Sequence, residues 1–156
     1  MGQVLNAEQL IERLAPLRGQ SAIVTTNGCF DILHVGHLRY LQACRSMGDV
    51  LVVAVNSDRS VRNLKGPHRP IVSEEERAEL IAGLGCVDYV VLFDEPTPEA
   101  LLRKIRPDIH VKGAQYTEEN LPEAATLREI GARIEFAPMV EGRSTTNIIE
   151  KIKQII

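Results

Sequence analysis

Residues 21–37 read SAIVTTNGCFDILHVGH. The stretch passes from an apolar, β-branched run (21–26) through Asn27-Gly28 to a helical pattern from about residue 35. That order predicts a buried strand, a turn, and a helix over 35–47 that stops at Gly48. Gly28 stands where the chain must turn sharply off the strand. His34 and His37, three apart, share a face at the opening turn of the helix. Gly36 between them removes a side chain where a ligand would approach. Free N–H groups and the helix dipole at such a turn attract an anion, and two imidazoles add directional donors. A polyphosphate suits this arrangement; two histidines that merely cap a helix are the competing reading. Cys29 is near, but no metal-ligand spacing is complete, so no protein metal site is expected.

Working outward, the alternation of strand and helix continues. Residues 7–17 predict a leading helix with Asn6 as its N-cap. VLVVAV at 50–55 is continuous and apolar, as a central parallel strand covered on both faces must be. Ser73 and Glu76 form a capping-box pattern that opens a helix to about residue 83. Strands are expected at 88–93, 108–112 and 133–137. Helices are expected from 97–98 to before Pro107, from about 122 to Gly131, and from Ser144. About five strands, each followed by a helix or helical turn, argue an α/β fold: a Rossmann-like, doubly wound parallel sheet with helices on both faces. The expected organisation is one domain over 1–156, with the leading helix in 1–19 and the core in 20–150. The breaker-rich Lys65–Pro70 reads as a mobile loop. Ligands of open α/β sheets sit beyond the carboxyl ends of strands, which directs attention to 27–37, 56–70, 112–116 and 138–146.

Composition narrows the class. Of 156 residues, 44% are hydrophobic and 25% charged, the balance of an ordinary globular chain. The net charge is −3, aromatics are 4% and Trp is absent, which disfavours phosphate-backbone binding and base stacking. No apolar run approaches the ~20 residues of a membrane span. The N-terminus lacks a signal-peptide pattern, and the three scattered cysteines suit a reducing cytoplasm. No nucleic-acid or membrane partner is expected. Neither GxGxxG nor GxxxxGK[ST] occurs where a dinucleotide or P-loop reading needs it.

Several polar residues lie at the ligand-facing positions. Lys112 closes a buried strand, which packing explains poorly, so phosphate contact is favoured. Lys65 and Arg69 are either solvated loop charges or phosphate ligands. Arg77 either pairs with Glu74, Glu75 and Glu76 on a solvated face or helps build a site. Asp31 either caps local N–H groups or orients substrate or loop. Asn56 and Asp58 either contact a sugar or cap the next turn. Gly142-Arg143-Ser144-Thr145-Thr146 precedes the last helix. There Ser and Thr read as N-caps and Arg143 as a surface charge or a phosphate clamp.

The HVGH segment resembles the HxGH signature of the nucleotidyltransferase superfamily. With VAVNSD (53–58), LKGPHRP (64–70), EEERAELIAGLGCVDYVV (74–91), VKGAQY (111–116) and EGRSTTNII (141–149), it is similar to the adenylyltransferase domain of the ADP-heptose synthesis enzymes. The resemblance implies transfer of AMP from ATP to D-glycero-β-D-manno-heptose 1-phosphate, giving ADP-heptose and pyrophosphate. It implies that the backbone of Cys29 and Phe30 and the side chains of His34 and His37 hold the ATP phosphates, with His37 stabilising the transition state. It further implies a nucleotide wrapped by 142–146, a phosphate-binding lysine at Lys65, and a role for Arg77 in the site. Mg²⁺ carried mainly on ATP oxygens is expected. Where the family reads KGGDY this chain has Lys112-Gly113-Ala114-Gln115-Tyr116, which removes a carboxylate. Many relatives fuse this domain to a sugar kinase, which 156 residues cannot hold, so a separate kinase is expected, and a homodimer is possible. A cytidylyltransferase of glycerol phosphate or a similar alcohol phosphate, and a nucleotide-binding module without catalysis, are the alternatives.

Overall fold

The computed structural model describes residues 1–156. In chain order the strands are β1 (Gln3–Val4), β2 (Ile23–Gly28), β3 (Val50–Asn56), β4 (Tyr89–Phe93), β5 (Ile109–Gly113) and β6 (Arg133–Ala137). The helices are α1 (Ala7–Leu14, extended by a 3₁₀ turn to Leu17), α2 (Val35–Ser46), α3 (Asp58–Lys65), α4 (Glu74–Ala82), α5 (Glu99–Ile105), α6 (Ala124–Glu129) and α7 (Thr145–Ile155).

All strand pairs are parallel, in the order β1-β4-β3-β2-β5-β6. The chain winds one way from β2 through β3 to β4, then returns to the other side of β2 for β5 and β6. The winding therefore reverses between β2 and β5, which opens a crevice at their carboxyl ends. The sheet has six strands where five were expected. The extra one, β1, is a two-residue edge strand whose register is set by Tyr89 and Val90 of β4. Nothing periodic marks so short a segment.

Strand pleat separates the core into two layers. Leu51, Val53 and Val55 of β3 pack with Leu41 and Cys44 of α2 and with Ala78 and Ile81 of α4. Val52 and Ala54 face the other way, onto Leu10 and Leu14 of α1 and onto Leu101 and Ile105 of α5. The unbroken apolar run of β3 is thus explained by burial on both faces. A smaller cluster joins Leu102 of α5 to Ala124 and Leu127 of α6 and to Leu121 just before it.

Two local expectations are corrected. Helix α3 occupies 58–65, a stretch to which no element is assigned from the sequence, so Lys65 is a helix-terminal residue rather than the first residue of the loop, and the irregular stretch begins at Gly66. The turn after β2 is made by Phe30, at φ 49°, rather than by Gly28, which ends the strand. A Cβ on Gly28 would lie 3.0 Å from the Phe30 ring, so the glycine makes room for the ring. No helix is long and apolar enough to cross a membrane.

Candidate active site

The crevice between β2 and β5 is a cavity of about 550 Å³, the size of a small-ligand site. Asn27, Gly28, Cys29 and Phe30 line it from the end of β2, Asn56 from β3, and Lys112 and Gly113 from β5. Leu64 and Lys65 enter from α3, and Arg143, Ser144, Thr145 and Thr146 from the start of α7. The four stretches picked out in the sequence each supply lining residues. Pro96–Pro98, after β4, and Pro122-Glu123, before α6, were not foreseen.

His34 is the N-cap of α2, and its Nδ1 accepts from Gly36 N–H at 3.1 Å. The ring folds back over the glycine, where a Cβ would lie 2.8 Å from it. Gly36 is therefore required by the His34 ring itself. His34 stacks on His37 with centroids 3.9 Å apart, and Phe30 meets His37 edge-on at 5.4 Å. Burial, then the neighbouring His34 and Lys65, hold the His37 imidazole at a pKa of about 4. Burial and then Arg143 lower that of His34. Both rings are consequently mainly neutral near pH 7, each with one N–H to offer. His37 Nδ1 is buried and has no hydrogen-bond partner.

The opposite wall is charged. Lys112 Nζ donates to Asn27 Oδ1 at 3.3 Å, lies 3.8 Å from Glu123 Oε1, and sits 4.9 Å from the centre of the Tyr116 ring. Its side chain is 12% exposed, so it stands within the wall and not in solvent. Behind it Glu123 Oε1 is 3.4 Å from His110 Nε2, and His110 Nδ1 is 2.7 Å from the Thr25 hydroxyl. Burial depresses His110 despite the carboxylate beside it. The contact is therefore a neutral imidazole against a carboxylate. Burial alone would raise Glu123, but His110 and Lys112 bring it below the ordinary carboxylate range.

Five residues named from the sequence lie outside the cavity lining: Asp31, Asp58, Arg69, Arg77 and Gly142. Arg77 is fully buried rather than paired with Glu74–Glu76 on a solvated face. It donates to the carbonyls of Val72, Cys29 and Asn56 at 2.9, 2.6 and 2.7 Å and to Asp58 Oδ1 at 2.8 Å. Asp58 is thereby committed to Arg77. Asp31 is buried and accepts from Ile71 N–H and Val72 N–H. These N–H groups are not local ones: Asp31 ties the segment before α4 to the turn after β2. Asn56 lines the cavity, but its Nδ2 donates to Ser60 Oγ at 3.0 Å. Ser144 caps α7 by accepting from Asn147 N–H, and the Thr145 hydroxyl donates to Ile32 O at 3.1 Å. Arg143 and Thr146 remain exposed. Gln115 lines the cavity, and its Oε1 lies 2.1 Å from where a Cβ on Gly113 would stand.

The cytidylyltransferase-like family matches residues 25–151. The chain is 56% identical over 135 residues to the bifunctional protein HldE of Syntrophotalea carbinolica, covering 86% of this chain but 27% of that protein's length. The chain thus spans well under a third of that curated relative. Among solved structures, the lipopolysaccharide core biosynthesis protein of Thermoplasma volcanium is 31% identical, with a TM-score of 0.65, over 79% of this chain and 99% of the other. Pantothenate synthetase of Thermus thermophilus shares the fold at 17% identity and a TM-score of 0.66, over 99% of this chain and 70% of that one.

Proposed function

We propose that this chain, which belongs to the cytidylyltransferase-like family of nucleotidyltransferases, transfers AMP from ATP to a sugar 1-phosphate. On the resemblance set out above, the sugar is D-glycero-β-D-manno-heptose. An oxygen of the sugar phosphate attacks the α-phosphorus of ATP in line. The new P–O bond forms as the bond from the α-phosphorus to the bridging oxygen breaks, and pyrophosphate leaves with that electron pair. The attacking phosphate is already anionic, so no general base is required. Positioning and electrostatic stabilisation supply the rate.

The observation that carries this reading is the placement of two neutral imidazoles at the start of α2, one of them with a buried nitrogen that has no partner, in one cavity with Lys112. His37 would donate to the α-phosphate as charge develops, and His34 would hold the outer phosphates. Lys65 and Arg143 would neutralise the triphosphate from the rim, and Lys112 would receive the sugar phosphate. No group of three or more His, Cys, Asp or Glu side chains is placed to hold a metal. Mg²⁺ would therefore arrive on the triphosphate oxygens, which need few protein ligands.

Pyrophosphate release from ATP against a panel of sugar 1-phosphates tests the reading. Turnover with the heptose 1-phosphate is expected to exceed that with hexose 1-phosphates. Turnover with CTP and an alcohol phosphate but none with ATP would replace it with a cytidylyltransferase. ATP binding without turnover on any acceptor would reduce the chain to a binding module.

A further inference from the structure

Three buried side-chain atoms in the molecule lack a hydrogen-bond partner: His37 Nδ1, His110 Nε2 and Glu123 Oε1. The first belongs to the cavity wall already described. The other two face each other 3.4 Å apart, one step behind Lys112. A buried carboxylate is costly unless it is paired. Glu123 is 2% exposed, and its two nearest partners are His110 and Lys112.

The direction of the protons follows from the distances. Thr25 Oγ1 lies 2.7 Å from His110 Nδ1 and 3.5 Å from Ile109 O. If Nδ1 carried the proton, Nε2 would turn a lone pair onto the Glu123 carboxylate. With Nε2 protonated, Thr25 donates to Nδ1 and the Nε2–H group lies 3.4 Å from Glu123 Oε1, an electrostatic contact rather than a hydrogen bond. Only the second arrangement is attractive at both ends. His110 and Thr25 sit on adjacent central strands, β5 and β2, with no solvent exposure at His110. The carboxylate is thus anchored to the most rigid part of the sheet.

Lys112 is held loosely by comparison. Its contacts to Asn27 at 3.3 Å, to Glu123 at 3.8 Å and to the Tyr116 face at 4.9 Å are all long. It is oriented, yet free to give a short bond to an entering oxyanion. We propose that Glu123 is a positioning residue, fixed by Thr25 and His110, that keeps the Lys112 ammonium charged and aimed into the cavity until an anionic substrate takes its place. The role for Lys112 rests on the function proposed above; the linkage from Thr25 to Lys112 does not.

Burial works against the charged form of Lys112, and Glu123 is the chief group opposing that loss. The other titratable groups around Lys112 are His110 on β5, Tyr116 after it, and Cys29 after β2, whose thiol burial pushes up. After Glu123, Cys29 is the other group that favours the charged form, so removing the Glu123 charge takes away the larger part of what opposes burial. The sign is therefore fixed: Lys112 loses its proton at lower pH without Glu123.

The pH dependence of Lys112 acylation, read by mass spectrometry with acetic anhydride as the probe, measures this without substrate. In Glu123→Gln the midpoint should fall by about one pH unit, and Glu123→Asp should restore most of it. The alkaline limb of kcat/KM for the sugar phosphate should move by the same amount, while the KM for ATP stays unchanged. An unmoved midpoint overturns the proposal. A moved midpoint in a protein that turns over no sugar phosphate upholds the linkage and refutes the function. If Glu123→Gln does not fold, ¹⁵N NMR of the unaltered protein decides: His110 should carry its proton on Nε2 and titrate below the ordinary imidazole range. A proton on Nδ1, or titration in the ordinary imidazole range, overturns the proposal.

Discussion

At the end of β2 the polar groups facing the cavity are neutral and partly unsatisfied; at the end of β5, one strand away, they are charged and already paired. His37 has a buried nitrogen without a partner, whereas Lys112 has Asn27, Glu123 and Tyr116 around it. The two walls face different difficulties. A group that must tighten on charge developing at a transition state is best left uncommitted, because any prior bond would have to be broken first. A buried ammonium has no such freedom, since without a counter-charge it would shed its proton. The neutral wall therefore keeps a nitrogen without a partner, and the wall of charge is kept charged by a carboxylate.

The comparison is tested first where the effect is largest. His37→Ala should lower kcat by about 10²–10³-fold while changing the KM for ATP much less, as steady-state pyrophosphate release would show. An unchanged kcat would take the end of β2 out of the chemistry. Lys112→Ala should lower turnover by about 10²-fold. It differs from His37→Ala in a second readout. It strands Glu123 opposite a neutral histidine, so its urea midpoint should also fall. Full activity in that variant would place the sugar phosphate elsewhere.

Gly36→Ala sharpens the contrast without touching a donor. The added methyl would lie 2.8 Å from the His34 ring and force it off its stack with His37. The KM for ATP should rise about tenfold, equivalent to ~1.4 kcal/mol. Thermal stability should change little, because the preference of a helix for alanine over glycine, up to about 1 kcal/mol, is offset by the loss of the His34 cap of about the same size. The smallest effect is on pH dependence. His37, held at about 4 in the free protein, should give flat NMR shifts from pH 5 to 8, and ATP should raise its midpoint. An unfolded chain takes up that proton near the ordinary imidazole value of ~6.5, before the folded one does. Acidification through this window should therefore lower stability until about pH 4, and His37→Asn should blunt the loss.

The central strands and the HVGH turn were legible because each announces itself locally. An apolar run such as VLVVAV has one explanation, and paired histidines around a glycine at a helix start have few. Helix α3 was hidden because Asp58–Lys65 carries mostly charged and polar residues and abuts the breakers at 66–70. Its lone buried hydrophobic, Val61, gives no periodic stripe. The three glutamates before Arg77 make a solvated ion-paired face an equally good reading of the sequence. Neighbouring Ala78, Ile81 and Ala82 are the buried residues of the same helix and were the available signal. Glu123 had none: in the sequence it is an ordinary acid at the start of an expected helix, until the fold brings it to His110 on β5.

Arg77 joins three separate stretches of chain through one guanidinium: the turn after β2, the end of β3, and the entry to α4. Its own helix buries Ala78 and Ile81 in the larger core layer. In amide-exchange terms this makes the cavity floor part of the slowest-exchanging unit, since its N–H groups open only when that layer opens. Helix α7, whose only buried residue is Thr145, belongs at the fast-exchanging end. A ligand can thus be admitted and released by fraying the outer wall, over a floor that moves only when the whole molecule unfolds.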